Sequence, residues 1–179
     1  MTLDANDYLT HQLYTASKTP RIKKARVRGW ILTTVTFLCM AYLFFENYND
    51  ALGYYFLVLS LLSLMLYPAY SRWRYKRHYK KFIEDTYKNR FGVDSELEIT
   101  DDFIVNKDKT GEAKINTAQI EEINEIKDFY FVKIKTGGSI IISKVKTKAY
   151  ELEVIEKKFK ELVEKNGIRW NVELDWKWR

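Results

Sequence analysis

Hydrophobic and polar positions fall into blocks of different period along this chain. Residues 29–45 and 51–71 carry no charged side chain, and only Glu46-Asn-Tyr-Asn-Asp50 and its approach separate them. An α-helix needs about 20 apolar residues to cross the hydrocarbon core of a bilayer. The second run has that length. The first reaches it if it continues to Tyr48, with Glu46 in the headgroup zone. The pattern predicts spans over about 29–48 and 51–71. Thr19-Pro20 opens the first helix, because proline suits a first turn, and the second starts at Asp50-Ala51. Pro68 removes one backbone hydrogen bond near the far end of the second helix and is expected to bend it there. Helical spacing persists beyond the run through Tyr75, Tyr79, Phe82, Ile83 and Thr86, until Gly92 stops it after Phe91. Ahead of the first run, Asp7 is the expected cap of a short helix over Tyr8–Ser17. That helix reads either as lying along a membrane surface or as part of a loosely ordered terminus.

After Gly92 the period becomes two. Leu97 and Ile99 alternate with Glu96 and Glu98, Asp101-Asp102 marks a turn, and Phe103–Val105 is a second strand. Asp108–Gly111 is a turn by composition, and Glu112–Asn116 a weak third strand. Ile120, Ile123 and Ile126 fit a helical turn and a bulged strand equally. In Phe129–Lys135, Tyr130, Val132 and Ile134 face one way, and Phe129, Phe131, Lys133 and Lys135 the other. Gly137-Gly138 predicts a hairpin turn into Ser139–Ser143. Thr147 is the expected cap of an amphipathic helix with Leu152, Ile155, Phe159, Leu162 and Val163 on one stripe, ended by Asn166-Gly167. The tail 168–179, with Trp170, Trp176 and Trp178, reads as a strand closing the sheet or as an interfacial anchor.

Charge gives these blocks a direction. The net charge is +6, but it is not spread evenly. Lys18, Arg21, Lys23, Lys24, Arg26 and Arg28 precede the first run without an acid among them. Arg72, Arg74, Lys76, Arg77, Lys80 and Lys81 follow the second, again without one. Basic residues beside spans stay on the cytoplasmic side, so both ends are expected inside and the acidic turn outside. Aromatic anchors fit the same frame: Trp30, Tyr67, Tyr70 and Trp73 inside, and Tyr48, Tyr54 and Tyr55 outside. The expected fold class is therefore a membrane α-helical hairpin plus α+β: two transmembrane helices, then an antiparallel, pleckstrin-homology-like sheet capped by a C-terminal helix. The expected domains are 1–28, a cytosolic segment with the first basic cluster; 29–71, the hairpin; 72–91, a juxtamembrane basic helix; and 93–179, the cytosolic sheet-and-helix domain. A soluble protein that buried both apolar helices would need a larger shell than the remaining residues supply. A cleavable signal peptide does not fit, since the run starts near residue 29 and no small-residue cleavage site follows it.

The order of parts resembles the bacterial YcxB-like membrane proteins. The resemblance is carried by the basic lead Arg21–Trp30, the hairpin to Ser71, the run Leu97–Ile104, Ile115-Asn-Thr-Ala-Gln-Ile120, Lys127-Asp-Phe-Tyr-Phe-Val132 and Ser139–Lys144. It implies a two-helix hairpin with a cytosolic pleckstrin-homology-like domain, and no catalytic residues, cofactor or ligand. The chain departs from the family pattern at Thr117 or Ala118, where a tryptophan is usual, at Ser143, where a proline is, and in its tryptophan-rich tail.

Composition adds little chemistry. The single cysteine, Cys39, excludes a disulfide framework and a cysteine-based zinc site. His11 and His78 leave little for a metal, and neither is expected to be catalytic. Gly137-Gly138 is a turn rather than a phosphate loop. The acid pairs Asp101/Asp102 and Glu121/Glu122 are adjacent, and on a strand adjacent side chains face opposite ways, which suits no shared acid–base work. No enzyme, cofactor, metal or nucleic-acid partner is expected. The basic clusters are expected to meet anionic headgroups, at about 1 kcal/mol per residue near an anionic leaflet, either for topology alone or with lipid selection. Lys133, Lys135, Lys144, Lys146 and Lys148 read as a solvated surface in preference to a phosphoinositide rim. Phe129, Phe131, Lys133 and Lys135 are a candidate interaction surface, unless the two phenylalanines pack under the terminal helix. The expected role is a multi-pass inner-membrane protein, both termini cytoplasmic, that presents an interaction module to a membrane protein or to itself. The alternatives are a subunit of an oligomeric channel and a membrane-bound enzyme.

Overall fold

The computed structural model describes residues 1–109 and 111–178, and the part of the expected turn at Thr110 lies outside them. The chain forms two compact units, one of residues 1–11 with 82–177 and one of residues 12–81 with Trp178. The elements in chain order are α1 (Ala5–Lys18), α2 (Pro20–Glu46), α3 (Asp50–Tyr87), β1 (Ser95–Ile99), β2 (Phe103–Asp108), β3 (Gly111–Asn116), β4 (Ile120–Ile126), β5 (Phe129–Ile134), β6 (Ser139–Ser143), α4 (Ala149–Asn166) and β7 (Arg169–Glu173).

Among the described residues the first unit holds seven strands in two sheets, of order β1-β2-β3 and β6-β5-β4-β7. β1 through β3 form an antiparallel meander, in which Thr100 N–H donates to Phe103 O at 2.9 Å across the Asp101-Asp102 turn. Thr117 ties the passage between the sheets to that turn, donating its N–H to Asp102 O and its hydroxyl to Asp101 O, both at 2.9 Å. β4 settles the ambiguity of the three isoleucines: it is a strand with a bulge between Ile120 and Glu122, which sets Ile120 beside Ile123 in one core, while Ile126, three residues on, is buried on the other face. β7 lies parallel to β4, with Trp170 opposite Ile123. An all-antiparallel sheet was expected. β6 already runs in β4's direction, and the crossover through α4 carries the chain from β6 to the opposite edge of the sheet and brings it back in that direction, which makes the last pairing parallel.

The core lies between the two sheets and α4. Its buried members include Ile104, Ile123, Tyr130, Val132, Ile142, Phe159 and Leu162, and Leu152, Ile155 and Val163 extend the predicted stripe of α4 onto it. Phe159 meets Tyr130 and Trp170 edge-on, at 5.7 and 6.2 Å between ring centres. Trp170 therefore belongs to the core as part of β7. The hydroxyl of Tyr130 donates to Glu156 at 2.5 Å, and burial and that carboxylate hold its pKa above the usual phenol range. The stop at Gly167 is as expected, in the left-handed region at φ 64°. The cap of α4 is not: Lys148 occupies that position, and Thr147 donates its hydroxyl to Ser143 O at 2.7 Å instead.

The N-terminus corrects the sequence reading most. Residues 1–11 are not a loose tail; they are built into the sheet unit. Ser95 N–H donates to Met1 O at 2.9 Å, the Met1 ammonium donates to Ser95 O at 2.8 Å, and Thr2 bridges Asp94. Gly92 N–H reaches Leu3 O at 2.9 Å. The cap of α1 is Asp4, three residues before the expected one. Its carboxylate accepts from Asn6 and Asp7 N–H, while the Asp7 carboxylate accepts from Asp4 N–H at 2.7 Å, a reciprocal box. Lys146 then closes on both acids, at 2.5 and 2.6 Å, and holds the Asp4 carboxyl below its usual pKa.

His11 packs edge-on against Phe131 at 5.1 Å, and burial alone lowers its imidazole pKa from 6.5 to about 4. An unfolded chain would protonate this histidine below pH 6.5, whereas the folded one resists until about pH 4. Stability therefore falls as pH drops through that window, by about 2 kcal/mol at pH 5. The Asp4 carboxyl is also held below its ordinary pKa of 3.8, so its contribution is present above that pH and is lost only below it, outside the histidine window. His11→Phe, which keeps the ring contact, is expected to flatten the pH 5–7 dependence of urea unfolding of the intact chain in detergent. An unchanged slope would contradict the assignment.

Candidate functional site: the hairpin and its basic end

The second unit is built on α2 and α3, joined by a turn at Asn47–Asn49. Both helices are long and apolar enough to cross a membrane, and only 11% of the apolar window of each is buried within the structure. α3 runs unbroken through Pro68 to Tyr87. The two helices touch through small and hydroxyl residues. Thr34 and Ser63 share a hydrogen bond at 2.7 Å, and the Ser60 hydroxyl lies 3.5 Å from Thr34 O. The Phe45 ring packs against Gly53 so closely that a Cβ there would sit 2.6 Å from it, and Tyr67 closes on Gly29 in the same way. A side chain at Gly53 would displace the Phe45 ring, and one at Gly29 the hydroxyl end of Tyr67. Phe44 stacks on Phe56 at 5.3 Å beside the turn.

Sequence position placed the two basic clusters at the same end of this pair, and Arg26 of the first cluster packs against residues of α3 beside the second. Arg26 Nε donates to Ser71 Oγ at 3.2 Å, and its guanidinium lies 5.9 Å from the Tyr75 ring and 4.9 Å from that of Trp178. Trp178 also donates its indole N–H to Arg72 O at 3.3 Å. Arg26 is half-buried; Lys18, Arg21, Lys23, Lys24, Arg28, Arg72, Arg74, Lys76, Arg77, Lys80 and Lys81 are exposed. A notch of about 320 Å³ opens beside Arg26, lined by Lys23, Val27, Trp30, Tyr67, Pro68 and Ser71. The indole N–H of Trp30 is buried and has no hydrogen-bond acceptor among the described residues. The aromatic positions divide as the charges do. Trp30, Tyr67, Tyr70 and Trp73 lie on the basic side, with Arg77 over the Trp73 ring at 5.3 Å. Tyr48, Tyr54 and Tyr55 lie at the turn, where Tyr48 is 97% exposed.

The other candidate surface is different from expectation. Phe129 and Phe131 are buried, stacked on each other at 5.7 Å, and they lie on the face of β5 away from α4, where His11 covers Phe131. They are therefore neither an exposed contact nor a layer under the terminal helix. The sequence could not show that residues 1–11 fold back over this face. Lys133 pairs with Glu121 at 2.8 Å, and Lys135 donates to Ala118 O at 2.9 Å. Lys144 pairs with Glu125 at 2.6 Å, and Lys146 with Asp4 and Asp7. These lysines face carboxylates and a carbonyl, which suits a solvated surface and not a phosphate rim. Chemistry elsewhere is sparse. His78 is exposed, Cys39 is exposed on α2, and no three His, Cys, Asp or Glu side chains are grouped to hold a metal among the described residues.

Comparison with known proteins adds no further constraint: no family model, curated protein or solved structure matches the chain.

Proposed function

We propose that this chain is a non-enzymatic, multi-pass protein of the bacterial cytoplasmic membrane. In this reading, α2 and α3 form the inserted hairpin, both chain ends lie in the cytoplasm, and the sheet-and-helix unit is an interaction module. The observation that carries it is the bare apolar surface of the two helices. Ile31, Leu32, Leu61, Met65 and Leu66 all stand exposed, and a soluble monomer rarely leaves so large a contiguous apolar patch uncovered. Lipid tails cover it at no cost. Two antiparallel sheets closed by a helix accord with a pleckstrin-homology-like plan and with a YcxB-like arrangement, to which β7 is an addition. The hydroxyls of Thr34, Ser60 and Ser63 are used inside the hairpin's own helix pair, and no charged side chain lies within residues 29–45 or 51–71. A pore-lining role has correspondingly little to work with. Tethering would raise the effective concentration of the module for neighbours in the same membrane.

Fractionation tests the reading. After lysis without detergent, the intact chain is expected in the membrane pellet and is expected to stay there through alkaline carbonate washing. Recovery in the supernatant at either step would overturn it.

A further inference from the structure

β1 is an outer strand of its sheet, and its main chain is only partly paired along the outward edge. In an antiparallel pair each residue sends its N–H and C=O to the same side, and successive residues alternate. Thr100 bonds toward β2, as its link to Phe103 shows, and Glu96 and Glu98 share that side. Ser95, Leu97 and Ile99 therefore point outward. Ser95 exchanges both its bonds with Met1. Beyond Ser95, the main-chain groups of Leu97 and Ile99 continue along an edge that no described residue covers. A groove of about 400 Å³ runs beside this edge, with Met1 among its lining residues. Leu97 and Ile99 form one wall and Val154 and Ile155 of α4 the other. Val154 is 59% exposed. Glu96 and Glu98 are exposed and alternate with Leu97 and Ile99 along β1, Glu96 also bordering the groove, while Lys158, at the groove, is held by Asp101 at 3.1 Å and Glu161 at 2.8 Å.

We propose that this edge and groove bind an extended segment of another protein by strand addition, antiparallel to β1 and in line with residues 1–3. Main-chain hydrogen bonds to Leu97 and Ile99 hold the segment, and alternate side chains give selectivity. Residues of the segment opposite Leu97 and Ile99 share their face and enter the groove, so they are apolar. Residues opposite Glu96 and Glu98 lie on the acidic face, so they are lysine or arginine. The partner is thus an alternating apolar–basic strand, such as the cytosolic tail of a neighbouring membrane protein. The strand of residues 1–3 is the argument for this occupant, because the same edge already accepts a strand in that line.

The inference rests on the module being an interaction module; the groove itself lies within one compact unit and does not require the membrane. The test uses the full chain in nanodiscs of zwitterionic lipid. Its probes are labelled decapeptides with Val, Leu, Ile or Phe alternating with Lys or Arg, and block-ordered controls of equal composition. Saturable binding is expected, with slowed amide hydrogen exchange at residues 95–100 and at least tenfold preference for the alternating peptides. Val154→Asp and the pair Glu96→Lys with Glu98→Lys, all at exposed positions, are expected to weaken binding at least tenfold while leaving the melting temperature unchanged. The proposal is overturned by equal binding of the block peptides, by protection elsewhere, or by no protection at 1 mM peptide. Protection of 95–100 that rises with protein concentration alone would assign the edge to a second copy and likewise overturn it. Such failures leave carbonate-resistant membrane association untouched, and loss of that association leaves peptide binding measurable.

Discussion

Phe159→Ala is expected to destabilise the sheet unit by about 3–5 kcal/mol. The ring has no solvent exposure and sits edge-on to Tyr130 and Trp170. Truncation removes the transfer energy of the side chain, leaves a cavity at the meeting point of α4, β5 and β7, and deletes two ring contacts worth about 0.5–1.5 kcal/mol each. A domain of this size has about 5–15 kcal/mol in total, so much of its margin goes. Val154→Ala on the exposed side of the same helix isolates the effect of burial, because helix propensity rises and almost no packing is lost. Urea unfolding, read by tryptophan fluorescence, should show a large drop in midpoint for the first variant and almost none for the second. Comparable midpoints would mean that α4 does not cover the core as described.

Leu61→Arg separates the membrane reading from any soluble one. Leu61 lies near the middle of the apolar part of α3 and is 56% exposed. In water, an exposed leucine replaced by arginine is close to neutral. At the centre of a membrane span, the same change trades a favourable residue for one costing about 2.5–3.5 kcal/mol. Membrane integration of the chain should fall several-fold, read as the carbonate-resistant fraction, and a second arginine at Leu38 should deepen the loss. An unchanged membrane fraction, or better solubility with retained fold, would count against insertion.

The parts that were legible in the sequence are those fixed by local periodicity. The apolar runs, Pro20, Asp50 and Gly167 set helix limits to within a residue or two, because each acts through its own backbone or its immediate neighbours, whereas α3 ends at Tyr87, ahead of the expected stop at Gly92. Strands β1, β2, β5 and β6 announced themselves by alternation and turn residues. What was not legible depends on partners distant in the chain. Met1 pairing with Ser95, and Lys146 closing on Asp4 and Asp7, join segments more than 90 residues apart, and no local pattern encodes that. The burial of Phe129 and Phe131 follows from the same event, since His11 arrives from residues far upstream. One signal was available: Asp4 and Asp7 have capping-box spacing, which points to a helix starting at Ala5 and hence to an ordered N-terminus. The parallel setting of β7 needed the path of α4, which periodicity does not give. The open edge of β1 needed the register against β2 and the bonds to Met1, so its alternating Glu-Leu-Glu-Ile could be read from sequence as a strand and no more.

The account depends above all on where the turn and the sheet unit lie relative to the bilayer. With Cys39 changed to serine, single cysteines at Asn49 in the turn and at Glu98 in the sheet unit can be probed with a membrane-impermeant thiol reagent on intact spheroplasts and after lysis. Asn49→Cys is expected to label in intact spheroplasts, and Glu98→Cys only once the membrane is broken. Labelling of Glu98→Cys in intact spheroplasts, with Asn49→Cys protected until lysis, would contradict the orientation set by the twelve basic residues and the topology built on it.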